Sequence, residues 1–335
     1  MLRATDTREI VSLEVLGHRL SGTYHRPPGD GIVSWTSGLC ASAPAVLILN
    51  SLALPRASTG DSAVYWAESF ARSGYPTFRF DLPGLGDSDG HTSTDLLDFI
   101  NDGGFAAAAV GIANELVGRG GFPGVVFVGH CAGAVTANYA AASFKKCKGL
   151  IMLDPYFHLP ILKRPKSREK LSDWARRSKL GRPMSNLFDR AKRVRLILRG
   201  ANLPSNANTK LIGKWKEVSA AGLPMLVFKA PGIKAKGSKP RVGEFDYMGY
   251  VAKLAGRKSD LVIKAIENAD HSFANRAGRE AIVEATLAWL ASHFPVASAG
   301  AFAHTDSLPD RGITVNSLTN TRVAPPNPDC ALGGR

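Results

Sequence analysis

The sequence predicts an α/β protein: a mostly parallel sheet covered by helices on both faces. Three observations carry this reading. Short apolar, β-branched runs alternate along the chain with segments of helical periodicity, the pattern of repeated βαβ units. These runs lack polar alternation, as strands covered on both sides do. One of them, Val125-Val126-Phe127-Val128, runs straight into Gly129-His130-Cys131-Ala132-Gly133 and then into small helix-compatible residues, which reads as a tight strand-to-helix turn. Glycines have a physical task in such a turn, because a side chain at either flanking position would strike the neighbouring strand or helix.

The elements follow in order. Residues 8–25 read as two short strands joined near Gly17, an antiparallel opening. Residues 45–50 form a buried strand, and the loop after it leads to a helix near Ser62 whose Val64, Ala67, Phe70 and Ala71 keep helical spacing until Gly74 ends it. A strand over TFRFDL, a glycine-rich turn and a helical stretch over residues 94–120, interrupted at Gly103-Gly104, lead to the strand before Cys131. Further strands are expected at residues 149–153, 224–228 and 260–266, and a last helix from about residue 276 holds Val283, Leu287, Leu290 and Phe294 on one face. Residues 155–221 are too long and too charged for a plain crossover, so a lid over the strand ends is expected there. From Pro295 to Arg335 the chain is rich in Gly, Pro, Ser and Thr without periodicity. The expected organisation is therefore one domain over residues 1–294 and a disordered tail over 295–335 that leaves Cys330 accessible.

Composition narrows the function. With 335 residues and 44% hydrophobic content the chain can bury a large core. Cys40, Cys131, Cys147 and Cys330 are scattered, with no C-x-x-C pair, so neither a disulfide framework nor a metal site is expected, and no cofactor. The N-terminus shows no apolar core ahead of a cleavage site, and no run of apolar residues is long enough to span a membrane; a cytoplasmic protein is expected. The net charge is +14, and much of the excess falls in residues 163–182, where Arg176 and Arg177 belong to a basic run opposed by only Glu169 and Asp173. Such a run is usually a solvated face; here it also suits an anionic or carrier-bound substrate. No nucleic-acid module accompanies it and only Trp174 is interleaved, so no nucleic-acid partner is expected.

Cys131 would begin a helix, where unpaired N–H groups and the helix dipole favour a thiolate; a small buried residue is the plainer alternative. Its base is expected in His271, which lies in ADHSF after the last strand and just before the last helix. His130, although adjacent to Cys131, should point away from the thiol, and the other histidines read as surface or core residues. Asp81, Asp87 and Asp89 in DLPGLGDSD read as turn formers, since their spacing matches neither a calcium loop nor a dinucleotide motif.

The Gly-His-Cys-Ala-Gly turn, DLPGLGDSDG, LIMLDP and ADHSF together resemble the α/β-hydrolase superfamily over residues 8–294. Cysteine in the turn looks like dienelactone hydrolase, and the wording of the other motifs resembles hydrolases found beside exosortase and exopolysaccharide systems. The resemblance implies an α/β-hydrolase fold with Cys131 as nucleophile, His271 as base, and the N–H groups of Ala132 and Leu52 as oxyanion hole. In that family the strand at 224–228 is normally followed by the acid of the triad, but KAPGIKAKGSKPRVG carries no carboxylate. The GEFD wording makes Asp246 the expected acid, with Glu244 and Asp154 as alternatives, and a Cys–His dyad without an acid is also chemically sufficient. Family loops open with His-Gly where this chain has Asn50-Ser51. The function implied is a hydrolase that cleaves a small-molecule ester or thioester through an acyl-cysteine; an acyltransferase using the same site and a non-catalytic binding protein of the same fold are the alternatives.

Overall fold

The computed structural model describes residues 7–28, 35–36, 42–159, 203–230, 245–256, 259–267 and 269–296. Eight strands are described: β1 (Arg8–Val15), β2 (His18–His25), β3 (Ala45–Leu49), β4 (Thr77–Phe80), β5 (Val125–His130), β6 (Cys147–Leu153), β7 (Met225–Lys229) and β8 (Leu261–Ala265). The described helices are α1 (Ser62–Arg72), α2 (Leu96–Asn101), α3 (Ala106–Gly118), α4 (Ala132–Ser143), α5 (Thr209–Ala220), α6 (Tyr247–Ala255) and α7 (Arg276–His293). The alternative acid Glu244, the basic run at 163–182, and all of the expected tail except residues 295–296 lie outside the described residues.

The strands form one sheet in the order β1-β2-β4-β3-β5-β6-β7-β8. β1 and β2 make an antiparallel hairpin, β2 runs antiparallel to β4, and every later pairing is parallel. The hairpin turns on Leu16 and Gly17, both at positive φ (52° and 77°), which matches the twist of the flanking strands. β3, β5, β6 and β7 carry unbroken apolar runs because both sheet faces are covered. One face packs against α3, α4, α5 and α6, in a core that includes Ile112, Val135, Trp215 and Val251. On the other, α1 and α7 bury Trp66, Phe70, Trp289 and Leu290. No helix among the described residues is long and apolar enough to cross a membrane.

The sequence also gave a simpler picture of the segment between β6 and β7 than the structure shows. Its last part is no lid: α5 starts on an Asn208 cap, whose side chain accepts from Leu211 N, and buries Leu211 and Trp215 as the crossover helix of the sheet. α6, absent from the sequence reading, is short and buries only Met248 and Val251.

Winding reverses in the middle of the sheet. β3 connects outward to β4 on one side, whereas β5 leads outward to β6 on the other, so the loops after β3 and β5 part at adjacent strand ends. Crevices of this kind, beyond the carboxyl ends of parallel strands, are where α/β sheets hold ligands. At this point the turn from β5 into α4 closes on itself: a Cβ at Gly129 would lie 2.2 Å from Gly133 O and 2.5 Å from Ala134 N. Backbone cannot step aside as a side chain can. Gly129→Ala should therefore cost about 1–3 kcal/mol or more in urea unfolding, whereas Gly213→Ala on the exposed side of α5, where a Cβ meets nothing within 4 Å, should stabilise by about 0.5–1 kcal/mol.

Candidate active site

Cys131 occupies the bend between β5 and α4 with φ 54° and ψ −116°, a conformation that L-residues rarely adopt. Its N–H still donates to Leu153 O at 2.9 Å, continuing the β5–β6 ladder for one residue, while its side chain is half-buried at the floor of a cavity of about 690 Å³. His271 lines the same cavity, from the loop between β8 and α7.

The imidazole of His271 is held by Asp154. Their Nδ1 and Oδ2 atoms are 2.6 Å apart, and the other carboxylate oxygen of Asp154 accepts from Ala230 N at 3.2 Å. Hydrogen bonding to Asp154, and then to Cys131, raises the pKa of His271 from 6.5 to about 10 against the opposing effect of burial. The imidazole is therefore favoured in its charged form at neutral pH. Because the folded-state pKa is raised, this arrangement contributes its full stability below about pH 6.5 and loses it as pH rises toward 10.

The acid expected at Asp246 is corrected by this geometry. Asp246 caps α6: its Oδ1 accepts from Gly249 N at 2.9 Å. It lines the cavity too, but the carboxylate on the imidazole is Asp154, which the sequence offered only as an alternative. The reason is strand register. His130 of β5 pairs with Leu153 of β6, so Cys131 and Asp154 leave neighbouring strand ends side by side. The chain after β7 supplies a backbone donor to Asp154 in place of an acid. The available signal was the pair of facts already in the sequence: an aspartate immediately beyond one strand, and no carboxylate beyond the next.

The loop after β3 runs against the first turn of α4, so closely that a Cβ on Gly133 would lie 2.5 Å from Asn50 O. Ala132 begins α4, where an N–H has no acceptor within the helix. Leu52 is exposed and at φ 51°. Asn50 takes a structural part: Nδ2 donates to Leu54 O and Asp81 Oδ1, both at 3.0 Å, and Oδ1 accepts from Leu82 N at 2.9 Å. Asp81, fully buried, also accepts from the Arg56 backbone and guanidinium, and the same guanidinium reaches Asp87 Oδ2 at 2.8 Å. Asp81 is therefore more than the turn former read from sequence, since it ties the loop after β3 to the turn after β4.

His130 is the residue whose part the sequence missed. It is buried, and burial lowers its pKa, so the ring is neutral. Its Nε2 lies 2.6 Å from His271 O; a carbonyl can only accept, so the proton is on Nε2 and fixes the loop that carries His271. Trp66 and Phe273 pack edge-on against the same ring.

Comparison with known proteins agrees with this architecture. Residues 44–187 match the family model of the alpha/beta hydrolase fold, and that match together with the strand order establishes this chain as a protein of the α/β-hydrolase fold. No curated protein matches the chain. Among solved structures, an esterase of Pyrococcus furiosus is similar with a TM-score of 0.54 at 12% identity, over 86% of this chain and 91% of the esterase. An alpha/beta hydrolase from Penicillium gives 0.54 at 14% identity, over 86% and 99% of the two chains. A thioesterase domain from the curacin biosynthetic pathway gives 0.50 at 17% identity, over 84% and 100%. At these identities the likeness is one of fold.

The Asp154–His271 contact makes a direct prediction. In an NMR titration, Asp154→Asn should move the His271 pKa down from about 10 toward 6.5, and Asp246→Asn should leave it in place.

Proposed function

We propose that this protein is a hydrolase that cleaves a small-molecule ester or thioester through an acyl group carried on Cys131. The observation that supports this reading most is the His271–Asp154 contact of 2.6 Å, with Cys131 near enough to the same imidazole to raise its pKa and both side chains lining one cavity.

The chemistry follows from the parts. Asp154 occupies Nδ1, so the proton that the sulfur gives up is held on the other nitrogen of the charged imidazole. The sulfur of Cys131 then bonds to the substrate carbonyl carbon, and the π electrons move onto oxygen. The N–H groups of Ala132 and Leu52 receive that oxyanion. When the tetrahedral species collapses, the bond to the leaving oxygen or sulfur breaks, and the leaving group takes the proton from His271. Water then gives a proton to His271 and attacks the acyl-cysteine; the carbon–sulfur bond breaks with its electrons going to sulfur, the free acid departs, and the sulfur again faces the charged imidazole of His271. Asp154 keeps one ring nitrogen protonated and stabilises the imidazolium in both half-reactions.

Lys229 at the end of β7 adds a cation to the cavity wall, which suits a substrate with an anionic group. The esterase and thioesterase among the structural neighbours fit the same reaction class. Turnover of a panel of p-nitrophenyl esters and acyl thioesters tests the proposal. Cys131→Ala should abolish turnover, and Asp154→Asn should lower kcat by about 100-fold to 10,000-fold while Asp246→Asn stays within about threefold of wild type. Full activity in Cys131→Ala, or a larger loss at Asp246 than at Asp154, would reject it.

A further inference from the structure

Nothing among the described residues uses the hydroxyl of Tyr156. This residue stands two positions after Asp154, on the segment leaving β6, and it lines the cavity of Cys131 and His271. Its oxygen is shut away from solvent and has no hydrogen-bond partner among the described residues. Burial, and then the charge of Cys131, raise its pKa, so it remains a protonated donor at any pH at which the protein works. Buried donors without partners are rare in folded proteins, and each calls for an explanation.

The surroundings give the cavity one aromatic side and engage several of its other polar groups. From Tyr156 an aromatic wall leads to His158 (ring centroids 5.7 Å apart), on to Tyr247 (5.5 Å) and to Phe245 (4.8 Å). The Tyr247 hydroxyl already donates to Asn206 Oδ1 at 3.1 Å, Asp154 serves His271 and Ala230, and Asp246 caps α6. A leaving group must exit and water must enter on an open side. The acyl part of the substrate is what stays against the closed wall, and Tyr156 belongs to that wall.

We propose that Tyr156 contacts the substrate directly, its hydroxyl donating a hydrogen bond to an ether, hydroxyl or oxo oxygen on the acyl group close to the carbonyl that Cys131 attacks. The inference rests on the acyl-cysteine reading and sharpens its substrate class: oxygen-bearing acyl groups are preferred over plain hydrocarbon ones.

Chloromethyl ketones test it without requiring turnover, since Cys131 displaces chloride and the new carbon–sulfur bond is scored by mass spectrometry. The probes are the ketones derived from methoxyacetic and butyric acids, which differ by one oxygen in place of a methylene, and the longer pair from β-methoxypropanoic and pentanoic acids. The ratio of labelling rates within a pair, compared between wild type and Tyr156→Phe, cancels both intrinsic probe reactivity and any general change at the thiol. In at least one pair the ratio should fall roughly fivefold to tenfold in Tyr156→Phe, the effect of losing one neutral hydrogen bond. Unchanged ratios in both pairs would overturn the proposal, and so would failure of any probe to label Cys131. If Tyr156→Phe does not fold, the wild-type ratio divided by that of free glutathione decides: roughly fivefold or more supports the contact, and a value near unity rejects it. Hydrolysis of p-nitrophenyl butyrate, run alongside, separates the two levels. Selective labelling without hydrolysis keeps the acyl site and removes the hydrolase reading, whereas hydrolysis with unselective labelling does the reverse.

Discussion

The parallel register of β5 against β6 is the constraint on which the site depends. With His130 opposite Leu153, the next residue of each strand projects beyond the sheet at the same level, and these are Cys131 and Asp154. Both bend away at positive φ, 54° and 44°, so neither continues its strand. β7 completes the support: Phe228 O accepts from Asp154 N at 2.8 Å, and Ala230 N donates to its carboxylate. A one-residue slip in either pairing would turn the side chains to the opposite faces. His271 then needs only to reach back from the loop after β8, and His130, on the strand that leads into Cys131, holds that loop by its carbonyl.

Strain at Cys131 is tolerated because its neighbours leave it no alternative. An unfavourable backbone conformation of this kind costs about 1–3 kcal/mol, and it persists here because Gly129 and Gly133 allow α4 and the loop after β3 to close tightly around the bend. That loop is fixed in turn by a polar cluster rather than by apolar packing. Asp81 has no solvent exposure, yet donors from Asn50, Arg56 and Asp87 converge on it. A buried carboxylate requires such compensation, since removing partners from it would leave an unpaired charge inside the protein.

Much of the fold was legible because its signals are local. Apolar runs without alternation, the helical spacing around Phe70 and Leu290, and the Gly103-Gly104 break each report on a few consecutive residues. That Cys131 and His271 meet at one cavity was legible for the same reason, the one by its flanking glycines and the other by its place between a strand and a helix. The carboxylate that meets His271 was not, because its identity is a matter of register between strands distant in sequence. Asp154 reads as an ordinary strand-end aspartate until β5 and β6 are paired, and Asp246 reads as an acid until the short helix it caps is seen. His130 escaped for a related reason, since its partner is a backbone carbonyl 141 residues away.

The central claim is that the acyl group of the substrate passes through the sulfur of Cys131 while His271, held by Asp154, moves the proton. Trapping that species is the most direct measurement: mix the protein with p-nitrophenyl acetate, quench in acid during turnover, and map the peptides by mass spectrometry. The account predicts an acetyl group on the peptide containing Cys131, accumulating before the steady state and clearing as substrate is exhausted. Release of p-nitrophenol with no acylated Cys131, or with the acetyl group on another residue, would contradict it.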